Sequence, residues 1–395
     1  MKFAGIITEY DPFHNGHAAQ LRMLRERGAE TIAVCMSSGA VQRGGVPLYP
    51  ESVRVRAALL GGADLVVALP APYANSGAEA FAAAGVAILT ALGCDTLAFG
   101  AEDPDAVRLM HAAELLAVPD LSARLRRYLR QGLTFAVARA RAAEELEPGL
   151  SDLLCRPNNI LGVEYCKALL AQHSPMQPLA LPRLGAHHGS EETGRAGKTL
   201  LASASLLRTM VRKAGPDALA PYVPETAMEL YHQAARQGLT ADPAKFSTAL
   251  LALLRMGDQT RFARVRGVSE GLENRLAAAV REAANAEDLY ARLKTKRYPH
   301  ARLRRLALDA AIGVEAGKLP ALPPYLHVLG ARREALPLLR QASLPVSTSL
   351  AKLEQTLPEA RYLIGLHASF TDFSSLCRGQ TQPMGLAYTA KPVVL

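Results

Sequence analysis

Two histidines three residues apart, His14 and His17, are the side chains in this 395-residue sequence best suited to phosphate chemistry. An apolar run over residues 3–7 suits a buried strand, turn residues follow at 11–12 and 15–16, and residues 17–27 have helical spacing. A helix N-terminus attracts anions, and imidazoles there can donate hydrogen bonds as negative charge builds on leaving pyrophosphate. The segment therefore predicts a nucleotide phosphate site.

Several motifs, taken in order, resemble those of one family. His14-Asn15-Gly16-His17 resembles the HxGH signature of the nucleotidyltransferase superfamily, and its surroundings resemble the bacterial tRNA(Met) cytidine acetate ligases. The resemblance extends over residues 8–17, 36–44, 62–70, 99–102, 157–162, 183–186 and 202–208. It implies an enzyme that activates acetate with ATP as acetyl-adenylate. The acetyl group would then pass to the exocyclic amine of the wobble cytidine in elongator tRNA(Met), giving N4-acetylcytidine.

The resemblance also implies roles for particular residues. His14, His17 and Arg208 are expected to act in catalysis, and Arg208 belongs with Ser203 and Ser205 to a second superfamily signature. The residues expected to bind ATP are Ile7, Thr8, Glu9, Tyr10, Asp11, Pro12, Phe13, His14, Asn15, Gly16, His17, Ala18, Ala19, Gln20, Gly100, Asn158, Asn159, Arg183, Ser203 and Ser205.

The residue types alone leave other roles open at some of these positions. Asn158 and Asn159 follow a proline, where asparagines form ordinary turns, and which of the two would face a nucleotide is undecided. Ser203 and Ser205 match a helix N-cap equally well. Arg183 suits a phosphate and suits a surface ion pair too, and the resemblance favours ATP.

Three positions depart from the family pattern. Asp11 stands where the family usually has asparagine, Ser205 where it usually has threonine, and Glu51 near a position often held by a lysine followed by an aromatic residue. The first two changes are chemically mild. Glu51 reverses a charge near the expected rim of the active site.

A net charge of +9 favours a polyanionic partner, although a generally basic surface would give the same value. The charge is concentrated between Arg292 and Arg305, where seven of fourteen residues are lysine or arginine and none is acidic. A solvated helix face usually mixes signs, so this run favours RNA. The residues expected to bind tRNA are Lys294, Lys296, Arg297, Tyr298, Arg302, Arg304 and Arg305.

The five cysteines are scattered and lack any C-x-x-C spacing, so neither a zinc site nor a disulfide framework is expected. His187-His188 and Glu191-Glu192 lack metal-ligand spacing. No protein metal site is predicted, and Mg²⁺ is expected on the ATP phosphates. No leader and no apolar run of membrane-spanning length is found, which predicts a soluble cytoplasmic protein.

The order of elements predicts an α/β fold. Short apolar runs at 3–7, 31–36, 64–69 and 96–99 alternate with helical stretches, as in a parallel sheet with right-handed crossovers, and each motif begins where a strand ends. We expect a Rossmann-like nucleotidyltransferase domain over residues 1–214. Residues 215–395 are expected to form a mostly helical, basic, tRNA-binding domain.

Two other functions remain open from the sequence. A small-molecule adenylyltransferase would share the motifs of the first half but would not account for the basic helical part. A non-catalytic RNA-binding protein would account for the basic part but would not need His14 and His17.

Overall fold

The structure is a computed structural model that describes residues 1–184, 193–197, 199–269, 271–296 and 298–395. Its strands are β1 (Phe3–Thr8), β2 (Thr31–Ser37), β3 (Leu65–Leu69), β4 (Thr96–Ala101), β5 (Gln177–Pro182), β6 (Gly194–Ala196), β7 (Thr199–Leu201), β8 (Leu326–Ala331), β9 (Val346–Ser347) and β10 (Val393–Val394).

Its helices are α1 (Asn15–Glu26), α2 (Glu51–Leu60), α3 (Ala71–Ala74), α4 (Ala78–Leu92), α5 (Ala106–Ala117), α6 (Pro119–Arg130), α7 (Phe135–Glu144), α8 (Leu150–Leu154), α9 (Pro157–Ala171), α10 (Ala204–Ala214), α11 (Glu225–Arg236), α12 (Pro243–Arg255), α13 (Gln259–Ala263), α14 (Leu272–Glu282), α15 (Ala286–Leu293), α16 (His300–Ile312), α17 (Leu350–Thr356), α18 (Arg361–Leu376) and α19 (Leu386–Thr389). Short 3-10 helices span Pro216–Leu219, Arg333–Gln341 and Pro358–Ala360.

A central sheet organises these elements in the order β10-β8-β3-β2-β1-β4-β5, with β9 paired to β8. Strands β3, β2, β1, β4 and β5 are parallel. The chain runs outwards from β1 to β3 and then returns to the other side of β1 at β4. This reversal between β1 and β4 is the point at which α/β sheets bind ligands, outside the carboxyl ends of the strands.

The predicted α/β fold is confirmed. Each of the four predicted strands is present with its ends displaced by no more than two residues, and α1, α2, α4 and α5 follow them as expected. The sequence predicts these strands because β1 to β4 are buried on both faces and are therefore almost continuously apolar.

Two apolar layers cover the faces of the sheet. On one face, Ile6, Val34 and Val66 pack with side chains from α1, α2, α10 and α11. On the other face, Ile7 and Cys35 pack with α4, α5 and α9. With both faces covered, the residues that follow the strands are held at the carboxyl edge by a rigid support.

The second half of the chain forms a helical unit and also completes the sheet. Helices α12 to α16 and α18 share a third apolar cluster. Strand β8 pairs antiparallel with β3, and β10 pairs parallel with β8. The predicted boundary falls where α10 ends at Ala214, before Gly215 and Pro216. The division into domains at this point stays a prediction, since the sheet takes strands from both sides of it.

Within the described residues, no helix is long and apolar enough to cross a membrane. The five cysteines are free thiols, and four of them are buried. The pairs His187-His188 and Glu191-Glu192, and the family motif residues Gly185 and Ala186, lie outside the described residues.

Candidate active site

A cavity of about 320 Å³ opens at the carboxyl ends of β1 and β4. The turn after β1, the start of α1 and the start of α9 each contribute several residues to its wall. Twelve of the residues expected to bind ATP line it: Ile7, Thr8, Glu9, Tyr10, Asp11, His14, Gly16, His17, Gln20, Gly100, Asn158 and Arg183. All of the sequence motifs except residues 62–70 therefore contribute to this cavity.

The two histidines are held at the start of α1 by backbone hydrogen bonds. His14 is the N-cap residue, and its Nδ1 accepts the backbone N–H of Gly16 at 3.1 Å. The Nδ1 of His17 accepts the backbone N–H of His14 at 3.3 Å. A neutral imidazole with an accepting Nδ1 carries its proton on Nε2. Both rings can therefore donate an Nε2–H bond to an anion in the cavity.

Burial favours the neutral form of both imidazoles. Burial, with the positive charges of Arg183 and Arg208, lowers the pKa of His14 to about 3. Burial, together with His14 and Arg183, lowers the pKa of His17 well below its usual value. At neutral pH the rings therefore act as dipolar donors and add no charge to the site.

Gly16 allows the His14 ring to take its position. A Cβ built on Gly16 would lie 2.9 Å from Cε1 of His14 and 3.1 Å from its Nδ1. Gly100 differs, because a Cβ there would meet no protein atom within 4 Å and would extend towards the cavity that Gly100 lines. Gly16 thus makes room for the His14 ring, and Gly100 leaves open space beside the cavity.

Glu9 faces the cavity and is tied to the loop after β2. Its Oε1 accepts the backbone N–H of Gln42 at 2.6 Å. Burial raises the pKa of Glu9, against the opposing hydrogen bond from Gln42. The carbonyl of Gln42 in turn accepts a hydrogen bond from Nη1 of Arg305 in α16 at 3.0 Å. A residue of the second half of the chain thus fixes a wall of the cavity.

The predicted catalytic residue Arg208 is positioned behind the cavity wall and does not line it. Its Nη1 donates to the backbone carbonyl of Asp11 at 2.6 Å and lies 3.3 Å from Oδ2 of the same residue. The other carboxylate oxygen of Asp11 accepts the N–H of Leu48 at 2.6 Å. Arg208 therefore holds the turn before His14, and its direct contact with phosphate stays a prediction.

Ser203 and Ser205 form the start of α10. The hydroxyl of Ser203 accepts the N–H of Leu206 at 3.2 Å, which is a helix N-cap, and the two serine hydroxyls lie 3.0 Å apart. The cavity is lined here by Ala202 and Ala204 instead. The N-cap alternative is thus realised, and binding of ATP by the serines stays a prediction.

Arg183 places positive charge in the wall of the cavity, which Arg43 also lines. Its Nη1 lies 3.9 Å from Oε1 of Glu102 and has no hydrogen-bond partner among the described residues. Burial raises the pKa of Glu102, but hydrogen bonds from Asn158 and Asn159 outweigh it and hold the pKa below its usual value. Glu102 is thus ionised and forms a long ion pair with Arg183, whose contact with ATP stays a prediction.

The two asparagines have different roles. Asn158 lines the cavity and donates from Nδ2 to Glu102 at 2.5 Å. Asn159 is fully buried, and its Oδ1 accepts the N–H of Asp103 at 2.9 Å. Of the two, only Asn158 lines the cavity, and its contact with ATP stays a prediction.

Other residues of the first motif support the turn from behind. Phe13 is fully buried, and Asn15 donates from Nδ2 to the carbonyl of Leu200 at 3.0 Å. Neither lines the cavity, and the same is true of Pro12, Ala18, Ala19, Asn159, Ser203, Ser205 and Arg208. Their contacts with ATP stay predictions.

Much of the predicted tRNA-binding run is engaged within the protein. Tyr298 is buried, with the guanidinium of Arg302 4.3 Å from its ring centre. Arg304 pairs with Glu287 at 3.2 Å, and Arg305 binds Gln42. Lys294 donates to the carbonyl of Tyr298 at 3.0 Å, Lys296 is exposed, and Arg297 lies outside the described residues. A tRNA contact here stays a prediction.

Several lining residues were absent from the predicted site. Gln42 and Arg43 belong to a motif that follows β2, and only their position after a strand indicated that they could line the site. Phe81, Phe99 and Tyr165 add apolar walls, and no local pattern separates such residues from the core. Among the described residues, no three carboxylate, histidine or cysteine side chains form a metal-ligand group.

Known proteins are similar to this chain in sequence and in fold. The model of the HIGH Nucleotidyl Transferase family matches residues 1–384. A tRNA(Met) cytidine acetate ligase from Anoxybacillus flavithermus is 35% identical over 310 residues, which cover 78% of this chain and 76% of that protein. A ligase of the same name from Caldanaerobacter subterraneus subsp. tengcongensis is 32% identical over 374 residues, covering 91% of this chain and 92% of its own.

Two solved structures of Thermotoga maritima TmcAL superpose on the whole chain. The apo form I matches with a TM-score of 0.91 and 27% identity, and covers 100% of both chains. Form II, which is bound with alpha-thio ATP, matches with a TM-score of 0.90 and 26% identity over the same coverage.

Proposed function

Because this chain belongs to the HIGH nucleotidyl transferase family, and within it to the tRNA(Met) cytidine acetate ligases, we propose that it uses ATP to join acetate to a cytidine of tRNA(Met). The target is the exocyclic amine of the wobble cytidine in the elongator tRNA, and the product is N4-acetylcytidine. The enzyme acts in the cytoplasm, where tRNA is matured.

One observation carries the proposal. His14, His17 and Arg183 line the same cavity at the reversal point of the sheet; each histidine has its Nδ1 occupied by a backbone N–H, and Nη1 of Arg183 has no hydrogen-bond partner among the described residues. Two imidazole N–H donors and a guanidinium around a partly buried space suit a polyphosphate, because hydrogen bonds to an anion gain strength where water is excluded. A protein of the same fold binds alpha-thio ATP.

In the first step, a carboxylate oxygen of acetate attacks the α-phosphorus of ATP, and the bond to the pyrophosphate oxygen breaks. His14 and His17 donate hydrogen bonds to the oxygens that gain charge, and Arg183 binds the departing phosphates. Arg208 acts through Asp11, which it fixes by two contacts. Positioning and electrostatic stabilisation are the whole contribution of the protein, with no covalent enzyme intermediate.

In the second step, the cytidine amine attacks the carbonyl carbon of acetyl-adenylate and AMP leaves. The attacking nitrogen must lose a proton. Glu9 and Asp11 are carboxylates that line the cavity, but Asp11 is engaged by Arg208 and Leu48. Glu9, whose pKa is raised by burial, is the better acceptor for that proton.

Magnesium fits this site as a companion of the nucleotide. The two lining carboxylates are each tied to backbone N–H groups, so they do not form a cage for the ion. Magnesium keeps several waters and is commonly bound through substrate phosphates. When bound, it would neutralise phosphate charge, while the chain supplies the imidazole and guanidinium donors.

The test is to incubate the purified protein with ATP, magnesium, labelled acetate and unmodified elongator tRNA(Met), and to analyse the nucleosides. We expect labelled N4-acetylcytidine that requires both ATP and acetate. Pyrophosphate release without labelled RNA would contradict the ligase and indicate a small-molecule adenylyltransferase. Truncation of the chain after residue 214 would not distinguish the two functions, because it would remove β8 and β10 from the sheet.

A further inference from the structure

A hairpin of two helices, α6 and α7, carries a second run of positive charge. Between Leu121 and Ala143 the sequence has six arginines and no aspartate or glutamate. Three of the six are engaged in ion pairs. Arg124 and Arg127 pair with Glu145, and Arg139 pairs with Glu164 at 2.8 Å. These pairs fix the hairpin to itself and to α9.

The other three arginines are directed to solvent. Arg126, Arg130 and Arg141 are exposed, and none has an ion pair or side-chain hydrogen bond within the described part of the chain. Arg126 and Arg130 are four residues apart on α6, so they share one helix face. The structure thus separates arginines that hold the hairpin from arginines that are available to a partner.

An exposed aromatic ring stands at the turn of the same hairpin. Phe135, the first residue of α7, is 54% exposed, and Val137 is 44% exposed. The guanidinium of Arg139 lies 6.0 Å from the centre of the Phe135 ring. An accessible ring among arginines can stack on an unpaired base while the cations contact phosphates. A protein partner that buried this face would have to desolvate the same arginines.

The hairpin is joined to the candidate active site through α9. Arg139 binds Glu164 of that helix, and Pro157, Asn158 and Leu161 at its start line the cavity. The hairpin is thereby anchored to the helix whose start forms one side of the cavity. Arg156, which precedes α9, is also exposed and extends the basic surface in that direction.

In the basic run from Arg292 to Arg305, several of the arginines are engaged within the protein. Arg292 pairs with Glu282 and Asp288, Arg304 with Glu287, and Arg305 with the carbonyl of Gln42. Its aromatic residue, Tyr298, is buried. Charge counts favoured that run, but the contacts of the side chains favour the hairpin as the more available polyanion surface.

We propose that the hairpin of α6 and α7 is an RNA-binding surface, in which Arg126, Arg130 and Arg141 contact phosphates and Phe135 stacks on an unpaired base. The identity of the RNA as tRNA(Met) rests on the proposed function. The binding surface itself requires only a folded RNA with unpaired bases, such as a tRNA with its loops.

The test measures the affinity of unmodified tRNA(Met) as a function of salt for the triple variant Arg126→Ala, Arg130→Ala, Arg141→Ala. Each lost phosphate contact reduces the magnitude of the slope of log K against log salt by about 0.7 to 0.9, so the loss of three contacts should reduce it by about 2 to 3. The matched control is Arg333→Ala, Arg340→Ala, Arg361→Ala, which removes the same charge from exposed positions elsewhere. Thermal unfolding verifies that both variants are folded.

The stacking contact has its own variants. Phe135→Leu should weaken tRNA binding roughly 5- to 150-fold, the range measured for base–aromatic stacking, while Phe135→Tyr keeps the ring and should bind normally. A hairpin triple variant with the slope and affinity of the parent would overturn the inference and leave this face to a protein partner. A parent that binds tRNA but makes no N4-acetylcytidine would contradict the proposed function alone.

Discussion

The imidazole ring of His14 stacks on that of His17, with 3.7 Å between the ring centroids and 24° between the ring planes. A hydrogen bond also links the two residues, because Nδ1 of the His17 ring accepts the backbone N–H of His14. The pair therefore behaves as one unit, and a change in either ring is expected to displace the other.

Replacement of His17 by alanine should lower acetate-dependent exchange of pyrophosphate into ATP roughly 10²- to 10³-fold, since it removes one transition-state donor and the support of the other. Exchange is measured without tRNA, so the first step is isolated. His232→Ala is the control, because His232 pairs with Asp217 at a distance from the cavity. Undiminished exchange in the His17 variant would remove the histidine pair from the mechanism.

Gly16→Ala should reduce the same exchange without unfolding the protein. The added Cβ would lie 2.9 Å from Cε1 of His14, so that ring must move from its place at the start of α1. Gly365→Ala is the matched control: it also adds a methyl group to a helix glycine, but nothing lies within 4 Å of it. An effect of equal size in both variants would show that the change acts through the helix and not through His14.

Arg183→Ala should weaken ATP binding about 10- to 150-fold, the worth of a hydrogen bond to a charged group. Arg183 lines the cavity, and its Nη1 has no hydrogen-bond partner in the described part of the chain, so the loss should appear in the dissociation constant for ATP measured by calorimetry. Arg208→Ala should instead lower the unfolding midpoint, because Arg208 holds buried Asp11. ATP affinity that is unchanged in the Arg183 variant would contradict its assignment.

Glu51 should make stability depend on pH. It accepts a hydrogen bond from Ser38, and burial raises its pKa from 4.5 to about 7, against the opposing effect of Arg54. Between these values the native state keeps a proton that the unfolded state has lost. Its contribution to stability is therefore complete below pH 4.5, falls as pH rises, and is gone above about pH 7.

The neutral variant Glu51→Gln isolates this effect. The unfolding free energy of the parent should fall relative to that of the variant by about 3 kcal/mol between pH 4 and pH 8. Urea unfolding at several pH values measures the difference. A difference that is constant across this range would show that Glu51 titrates normally in the folded protein.

The sequence predicted the parallel core of the sheet because local apolar runs encode β1 to β4, and it predicted the cavity because motifs at strand ends must meet at one edge. It did not predict β8 as a sheet strand. The pairing of Leu65 with Ala331 joins residues far apart in the chain, and no local sequence pattern shows which strand pairs with the free edge of β3. The sequence also did not predict which side chains bind one another within the protein. Arg208 is an example, because its contact with Asp11 depends on the folded turn.

The same limit explains the two basic runs. In the sequence, residues 292–305 and residues 121–143 both read as positive segments without acids. Their availability depends on carboxylates elsewhere, such as Glu287 for Arg304 and Glu145 for Arg127. Charge patterns indicate where a polyanion can bind, and only the folded contacts show which charges are left for it.

The two strands that pair as β3 and β8 leave the ribosome at very different times. At the usual ~5–20 residues per second, on the order of ten seconds or more pass between emergence of β3 from the ribosome and emergence of β8. During that interval the backbone of the apolar strand β3 lacks its edge partner, and unpaired strand edges recruit other chains. Nascent chains of this enzyme should therefore need protection by chaperones until β8 has been made.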